Sequence, residues 1–170
     1  MALTLHDAAR RGDVARLREI YAQADELDDL FLRNADGDTA AHVAARFGNV
    51  KFLRVLHELD GPVFAENSET GEYPAHVAAS VGNVEVLRAL EELGKGYTLD
   101  YSDYNGDRPA HRAAANGHVA VLRFFHETGR GDLFSKTNSD DQNVALCAYD
   151  ADTHAAHLDV FKFLYDLVGS

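Results

Sequence analysis

The stretch Tyr73–Leu87, "YPAHVAASVGNVEVL", decides the fold. It sets His76 among small apolar residues ahead of Gly82. A histidine so placed suits three roles: catalytic base, metal ligand or scaffold. Self-comparison chooses among them. "HVAASVG" (76–82) has counterparts in "HDAARRG" (6–12), "HVAARFG" (42–48) and "HRAAANG" (111–117). All read H-x-A-A-x-x-G, and their histidines step by 36, 34 and 35 residues. A fixed period of this size marks stacked repeats. In a fifth, degraded copy Leu146, Cys147 and Ala148 take the H-x-A places.

Each glycine leads into a second segment: "NVKFLRVLHEL" from Asn49, "NVEVLRALEEL" from Asn83, "HVAVLRFFHET" from His118 and "HLDVFKFLYDL" from His157. Apolar residues at spacings of three and four, such as Val50, Leu53 and Leu56, predict an amphipathic helix. The H-x-A-A segment predicts a shorter helix whose alanines allow close approach. Gly12, Gly48, Gly82 and Gly117 stand where a helix ends in left-handed geometry. Pro74 and Pro109 stand at a first helical position, where the missing N–H costs nothing. Ahead of three units lies a glycine turn: "NADGD" at Gly37, "SETGE" at Gly71 and "DYNGD" at Gly106. Such turns suit tight hairpins, since their central residues tolerate positive φ. One unit cannot bury its own apolar face, so the units must stack.

This pattern resembles the ankyrin repeat, whose signature runs roughly D-x-x-G-x-T-P-L-H-x-A-A-x-x-G-H-x-x-V-V-x-x-L-L. The resemblance covers nearly the whole chain. It implies an all-α fold, an α-solenoid of stacked helix-turn-helix repeats with hairpin-like loops. We expect a single domain over 1–170, with repeats near 1–33, 34–66, 67–101, 102–135 and 136–170. Some positions depart from the signature. The T-P-L-H block keeps its threonine only at Thr39; Tyr73 and Arg108 replace it. Each lost cap is expected to cost about 1 kcal/mol. The last repeat carries about four extra residues, and Ala156 stands in place of its glycine.

Stacked helices lie ~8–10 Å apart, whereas zinc ligands sit only ~2 Å from the ion. Adjacent histidines of the ladder His6, His42, His76, His111 therefore cannot share a metal. The resemblance implies that they hydrogen-bond neighbouring backbone, so scaffold is the expected role. In "YDADTHAAH", Asp150, Asp152, His154 and His157 form a candidate metal loop, set against a solvated insertion as the plainer reading. No phosphate-binding G-x-x-x-x-G-K-[ST], G-x-S-x-G or H-E-x-x-H occurs. The expectation is no catalysis, no cofactor and no metal. Cys147, the one cysteine, lies in an apolar stretch without a nearby cation and is expected to be buried and inert.

Net charge is −12. Acidity of this size opposes nucleic-acid and anionic-membrane binding, which rely on Lys and Arg. It favours a protein partner with a basic surface. No run of ~18 apolar residues offers a membrane span, and the N-terminus lacks an apolar signal core. A cytoplasmic location is expected, with a nuclear one as the alternative.

The resemblance implies a concave binding face made of hairpin tips and the exposed side of the short helices. The tips map to 34–38, 68–72, 103–107 and 138–142. These twenty positions hold eight acids and no Lys or Arg. Asp36, Asp38, Glu69, Glu72 and Asp107 are the candidates for steering a partner. Phe47, Val81 and Tyr104 would supply apolar contact, and Arg46 and Asn116 polar contact. The leading function is a non-catalytic protein-interaction module. The alternative is a specific inhibitor or immunity-type protein that blocks an enzyme's active site. The final helix keeps Val160, Phe161, Phe163, Leu164, Tyr165, Leu167 and Val168, a candidate self-association surface.

Overall fold

The computed structural model describes residues 4–23, 32–150 and 155–168. Its helices come in pairs, a short one and a second one, the first four pairs joined through the glycine. The pairs are α1 (Leu5–Arg11) with α2 (Val14–Gln23), α3 (Ala40–Arg46) with α4 (Val50–Glu58), and α5 (Pro74–Ser80) with α6 (Val84–Leu90). They continue with α7 (Pro109–Ala115) and α8 (Val119–Glu127), then α9 (Val144–Cys147) and α10 (Leu158–Val168). The short helices stack as one layer, α1 on α3 on α5 on α7 on α9. The second helices stack as another, α2 on α4 on α6 on α8 on α10. This is the expected all-α solenoid.

Small residues make the inner layer possible. The alanine pairs Ala8–Ala9, Ala44–Ala45, Ala78–Ala79 and Ala113–Ala114 are wholly buried between neighbouring short helices. The outer helices fill the space behind with larger groups: Phe52, Leu53, Val55 and Leu56 on α4, and Val121, Leu122, Phe124 and Phe125 on α8. Fully burying one such side chain stabilises the fold by roughly 1.5–3 kcal/mol. One apolar cluster runs from Leu5 on α1 to Phe163 on α10.

Three local outcomes differ from the sequence expectation. The caps lost at Tyr73 and Arg108 are replaced from within the helix: their backbone N–H groups donate to His76 Nδ1 at 3.0 Å and His111 Nδ1 at 3.1 Å. Thr39 N–H does the same to His42 Nδ1 at 3.2 Å. The histidine is thus a cap acceptor, and a missing threonine leaves this half of the cap in place. The second hairpin begins at Asn67, not Ser68, because Asn67 N–H donates to the Glu72 carbonyl across a turn one residue longer than its neighbours. Finally, the last repeat holds a two-residue antiparallel pair, β1 (Tyr149–Asp150) with β2 (Ala155–Ala156). Of the metal-loop candidates, Asp152, His154 and the Asp150 side chain lie outside the described residues.

Among the described residues, no helix is long and apolar enough to cross a membrane.

Candidate functional site: the finger face

Four hairpins, here called fingers, stand at 34–38, 67–72, 103–107 and 138–142. Each is built on one Asn or Asp side chain that accepts two backbone N–H groups of its own turn. Asn34 Oδ1 accepts from Asp36 at 3.0 Å and Asp38 at 2.9 Å, and Asn67 Oδ1 from Glu69 at 2.7 Å and Thr70 at 3.0 Å. Asp103 Oδ1 accepts from Asn105 at 2.9 Å and Asp107 at 3.0 Å, and Asn138 Oδ1 from Asp140 at 3.0 Å and Gln142 at 2.9 Å. Short polar side chains favour turns by this means. One backbone bond then ties each finger to the next: Ser68 to the Gly37 carbonyl (3.3 Å), Tyr104 to Thr70 (3.0 Å) and Ser139 to Asn105 (2.9 Å). The fingers form a continuous comb.

The histidine ladder holds this comb to the short helices. In His42, His76 and His111 Nδ1 accepts an N–H, so the ring proton must sit on Nε2; in these and in His6, Nε2 faces a carbonyl of the next repeat. His6 reaches Asp38 at 2.9 Å, His42 reaches Glu72 at 2.8 Å and His76 reaches Asp107 at 2.9 Å. His111 deviates and reaches Lys136 at 3.0 Å. Burial pushes the pKa of His42 and His111 down and that of His76 to about 4, against the opposing pull of those carbonyls. These are neutral scaffold groups. A second ladder lies behind: Asn49 Nδ2 donates to the Ala9 carbonyl at 2.7 Å, while His118 reaches Ser80 at 3.0 Å and His157 reaches Ala115 at 3.1 Å. That bond gives His157, one of the metal-loop candidates, a scaffold role. Close approach here requires glycine. At Gly82 (φ 77°) an added Cβ would lie 2.7 Å from His118 Nδ1, and at Gly117 (φ 73°) 2.6 Å from His157 Nδ1.

The acids of the fingers divide into two groups. Asp38, read from sequence as a free fingertip, is only 3% exposed. Arg46 Nη2 donates to its Oδ2 at 3.0 Å and Asn67 Nδ2 to its Oδ1 at 2.6 Å. Glu72 and Asp107 are likewise held, because Arg112 from α7 lies 3.1 Å from Glu72 and 3.6 Å from Asp107. The same guanidinium donates at 2.6 Å to the fully buried carboxylate of Asp103. Asn138 Nδ2 adds a bond to Asp107 Oδ1 at 2.7 Å. Burial raises the Glu72 pKa, and Arg112 opposes the rise. These three acids are therefore held by arginines that the count of fingertip residues alone left out, Asp38 by Arg46 and the other two by an Arg112 they share with Asp103. Asp36, Glu69, Asp140 and Asp141 remain exposed, and Asp36 and Glu69 form no ion pair among the described residues.

Asp36, Arg46 and Phe47 meet at one cleft of about 290 Å³, which His6, Arg10 and Val43 also line. A finger and two short helices thus share one face. Phe47 is 48% exposed, with the Arg10 guanidinium 5.0 Å from its ring centroid. Val81 is exposed at the end of α5, and Tyr104 is 61% exposed on the third finger. Asn116 donates to the Arg112 carbonyl at 2.8 Å and to Ser80 Oγ at 3.4 Å.

Cys147 is half-buried rather than buried. Burial, then the Asp107 charge, push its thiol up to about 11, so it stays protonated at neutral pH. Among the described residues no group of three His, Cys, Asp or Glu side chains is placed to hold a metal.

Paired helices, glycine-bound fingers and a histidine ladder define a repeat solenoid. The chain belongs to the ankyrin repeat family: its model, ankyrin repeats in three copies, matches residues 5–103. The α7–α8 and α9–α10 pairs continue the same stacking beyond the matched segment. No curated protein matches the chain. Ankyrin repeats are generally protein–protein interaction modules and typically non-catalytic.

Proposed function

We propose that this chain is a non-catalytic interaction module holding a partner protein with a basic surface against its concave finger face. One observation carries the reading. The exposed Asp36 carboxylate and the exposed Phe47 ring line the same cleft, so charge and apolar area are offered together. Asp36 and Glu69 steer the partner, and Phe47, Val81 and Tyr104 supply apolar contact, since aromatic anchors often dominate interfaces. Arg46 and Asn116 give polar contacts at the rim. Asp38, Glu72 and Asp107 act through the arginines they hold, shaping the face rather than meeting the partner alone. Net charge of −12 favours a basic partner at long range.

Affinity capture from source lysate tests this with three folded baits: wild type, Asp36→Ser/Glu69→Ser, and Glu85→Ser on the outer layer. A protein held by the first and third and lost by the second supports the reading. Equal capture by all three contradicts it.

The last described helix pair offers a second surface. Phe134, Ala145, Leu164 and Leu167 line a cleft of about 340 Å³ there, and Leu158 and Tyr165 are exposed nearby on α10. We propose self-association through this surface. Sedimentation of wild type beside Leu164→Asp tests it, and a monomer at every concentration contradicts it.

A further inference from the structure

Three tyrosines gather between the second and third fingers. The rings of Tyr73 and Tyr101 meet edge to face, with centroids 5.4 Å apart at 63°. Tyr73 also stacks on His76, which fixes its ring from behind at 5.9 Å. Its hydroxyl donates to Glu66 Oε2 at 3.2 Å. Burial first, then the Glu66 carboxylate, raise the Tyr73 pKa, and Tyr101 and Tyr104 add to the rise. Tyr104 is anchored by its backbone bond to Thr70, and its ring lies on Gly71, where an added Cβ would come 2.3 Å from Cδ1. Its other face is open, and Tyr101 is 45% exposed.

Such a rigid aromatic group beside a carboxylate has a definite complement. A ring face attracts a cation, and a planar guanidinium both stacks on aromatics and pairs with carboxylates, which a lysine ammonium does less well. The chain uses this contact on itself: Arg10 lies 5.0 Å from the Phe47 centroid, Arg88 5.3 Å from Phe124 and Arg123 5.2 Å from Phe163. No arginine covers Tyr104 among the described residues. The neighbouring cations are engaged elsewhere, Arg33 on the carbonyls of Gly37 and Glu66 and Arg108 on the Thr137 carbonyl at 3.5 Å.

We infer that Tyr73, Tyr101 and Tyr104, edged by Glu66, form a seat for an arginine side chain of the partner protein; the inference rests on the reading that the finger face binds a basic protein. The rings take the guanidinium face and the Glu66 carboxylate its N–H groups. The seat makes the face selective for arginine over lysine, which net charge alone does not.

The test titrates the full chain, its seven tyrosines isotope-labelled, with the capped peptide Gly-Gly-Arg-Gly-Gly and its lysine and citrulline analogues, read by NMR. The arginine peptide should move the Tyr73, Tyr101 and Tyr104 ring signals saturably, more tightly than lysine, and citrulline should not. Tyr101→Ala/Tyr104→Ala should weaken binding about fivefold or more, while Tyr101→Phe/Tyr104→Phe, which keeps both ring faces, should bind as wild type. Asp36→Ser, on the first finger, should leave these shifts in place. No saturable shift, equal binding of lysine, or an alanine variant that binds as tightly overturns the seat. If it fails while capture of a partner still depends on Asp36 and Glu69, the arginine seat is lost and the interaction reading stands.

Discussion

At the residue scale, a buried imidazole with both nitrogens engaged holds one tautomer and one charge. Protonating His76 Nδ1 would turn the acceptor for Tyr73 N–H into a second donor, in a site without exposure. Burial, which disfavours the charged ring, sets the folded pKa at about 4 against the opposing Asp107 carbonyl and Asp103 charge, and this fixes the sign of a pH effect. An unfolded imidazole binds its proton near pH 6.5, so between about 6.5 and 4 the unfolded chain carries more protons. Stability is then fully present above pH 6.5 and falls as pH drops toward 4. Urea unfolding across this range should show the decline. His76→Ala should cost about 3 kcal/mol at neutral pH, since it orphans Tyr73 N–H and the Asp107 carbonyl and leaves a cavity. It should also flatten the acid slope. The ladder was legible because its period survives in the sequence. Its second task, capping, was not, because the signature points to threonine at the cap and hides the imidazole that receives the N–H.

At the scale of the element, the third finger and α7 differ from their neighbours in a coupled way. Fingers one, two and four are built on Asn34, Asn67 and Asn138, whereas the third is built on Asp103. The helices α3 and α5 carry Val43 and Val77 after the histidine, whereas α7 carries Arg112. The buried Asp103 pairs with a part-exposed Arg112 where the rest of the array uses a neutral amide and an apolar residue. Removing one partner strands a buried charge, while replacing both often costs little. Arg112→Val should therefore destabilise the protein by about 3 kcal/mol, and Asp103→Asn/Arg112→Val should recover part of the loss, Glu72 and Asp107 still lacking the guanidinium. A double-mutant cycle by chemical denaturation checks this, and additive losses would show the pair to be uncoupled. The sequence displayed every finger acid but not its partner. Arg112 and Asp103 lie nine positions apart in different elements, and only the packing of α7 on the fingers brings them together. The recurring Asn34, Asn67, Asp103 and Asn138 were a readable signal, masked because the turn's glycine drew the reading instead.

For the whole molecule, stacking predicts that strength follows the buried layers. The α4, α6 and α8 helices each bury four side chains, whereas α10 buries Val160 and Phe163 and leaves Leu158 and Tyr165 exposed. In a nearest-neighbour array the helix with fewest buried side chains opens first. The central claim, that a protein docks on the finger face, meets its most direct test in hydrogen–deuterium exchange of the chain free and with its captured partner. In the free chain α10 should exchange faster than α4, α6 and α8. With the partner bound, protection should rise at residues 34–38, 67–72 and 103–107 and at the ends of α3 and α5, and leave α4, α6 and α8 unchanged. Protection confined to α8 and α10, with the fingers exchanging as in the free chain, would contradict the account.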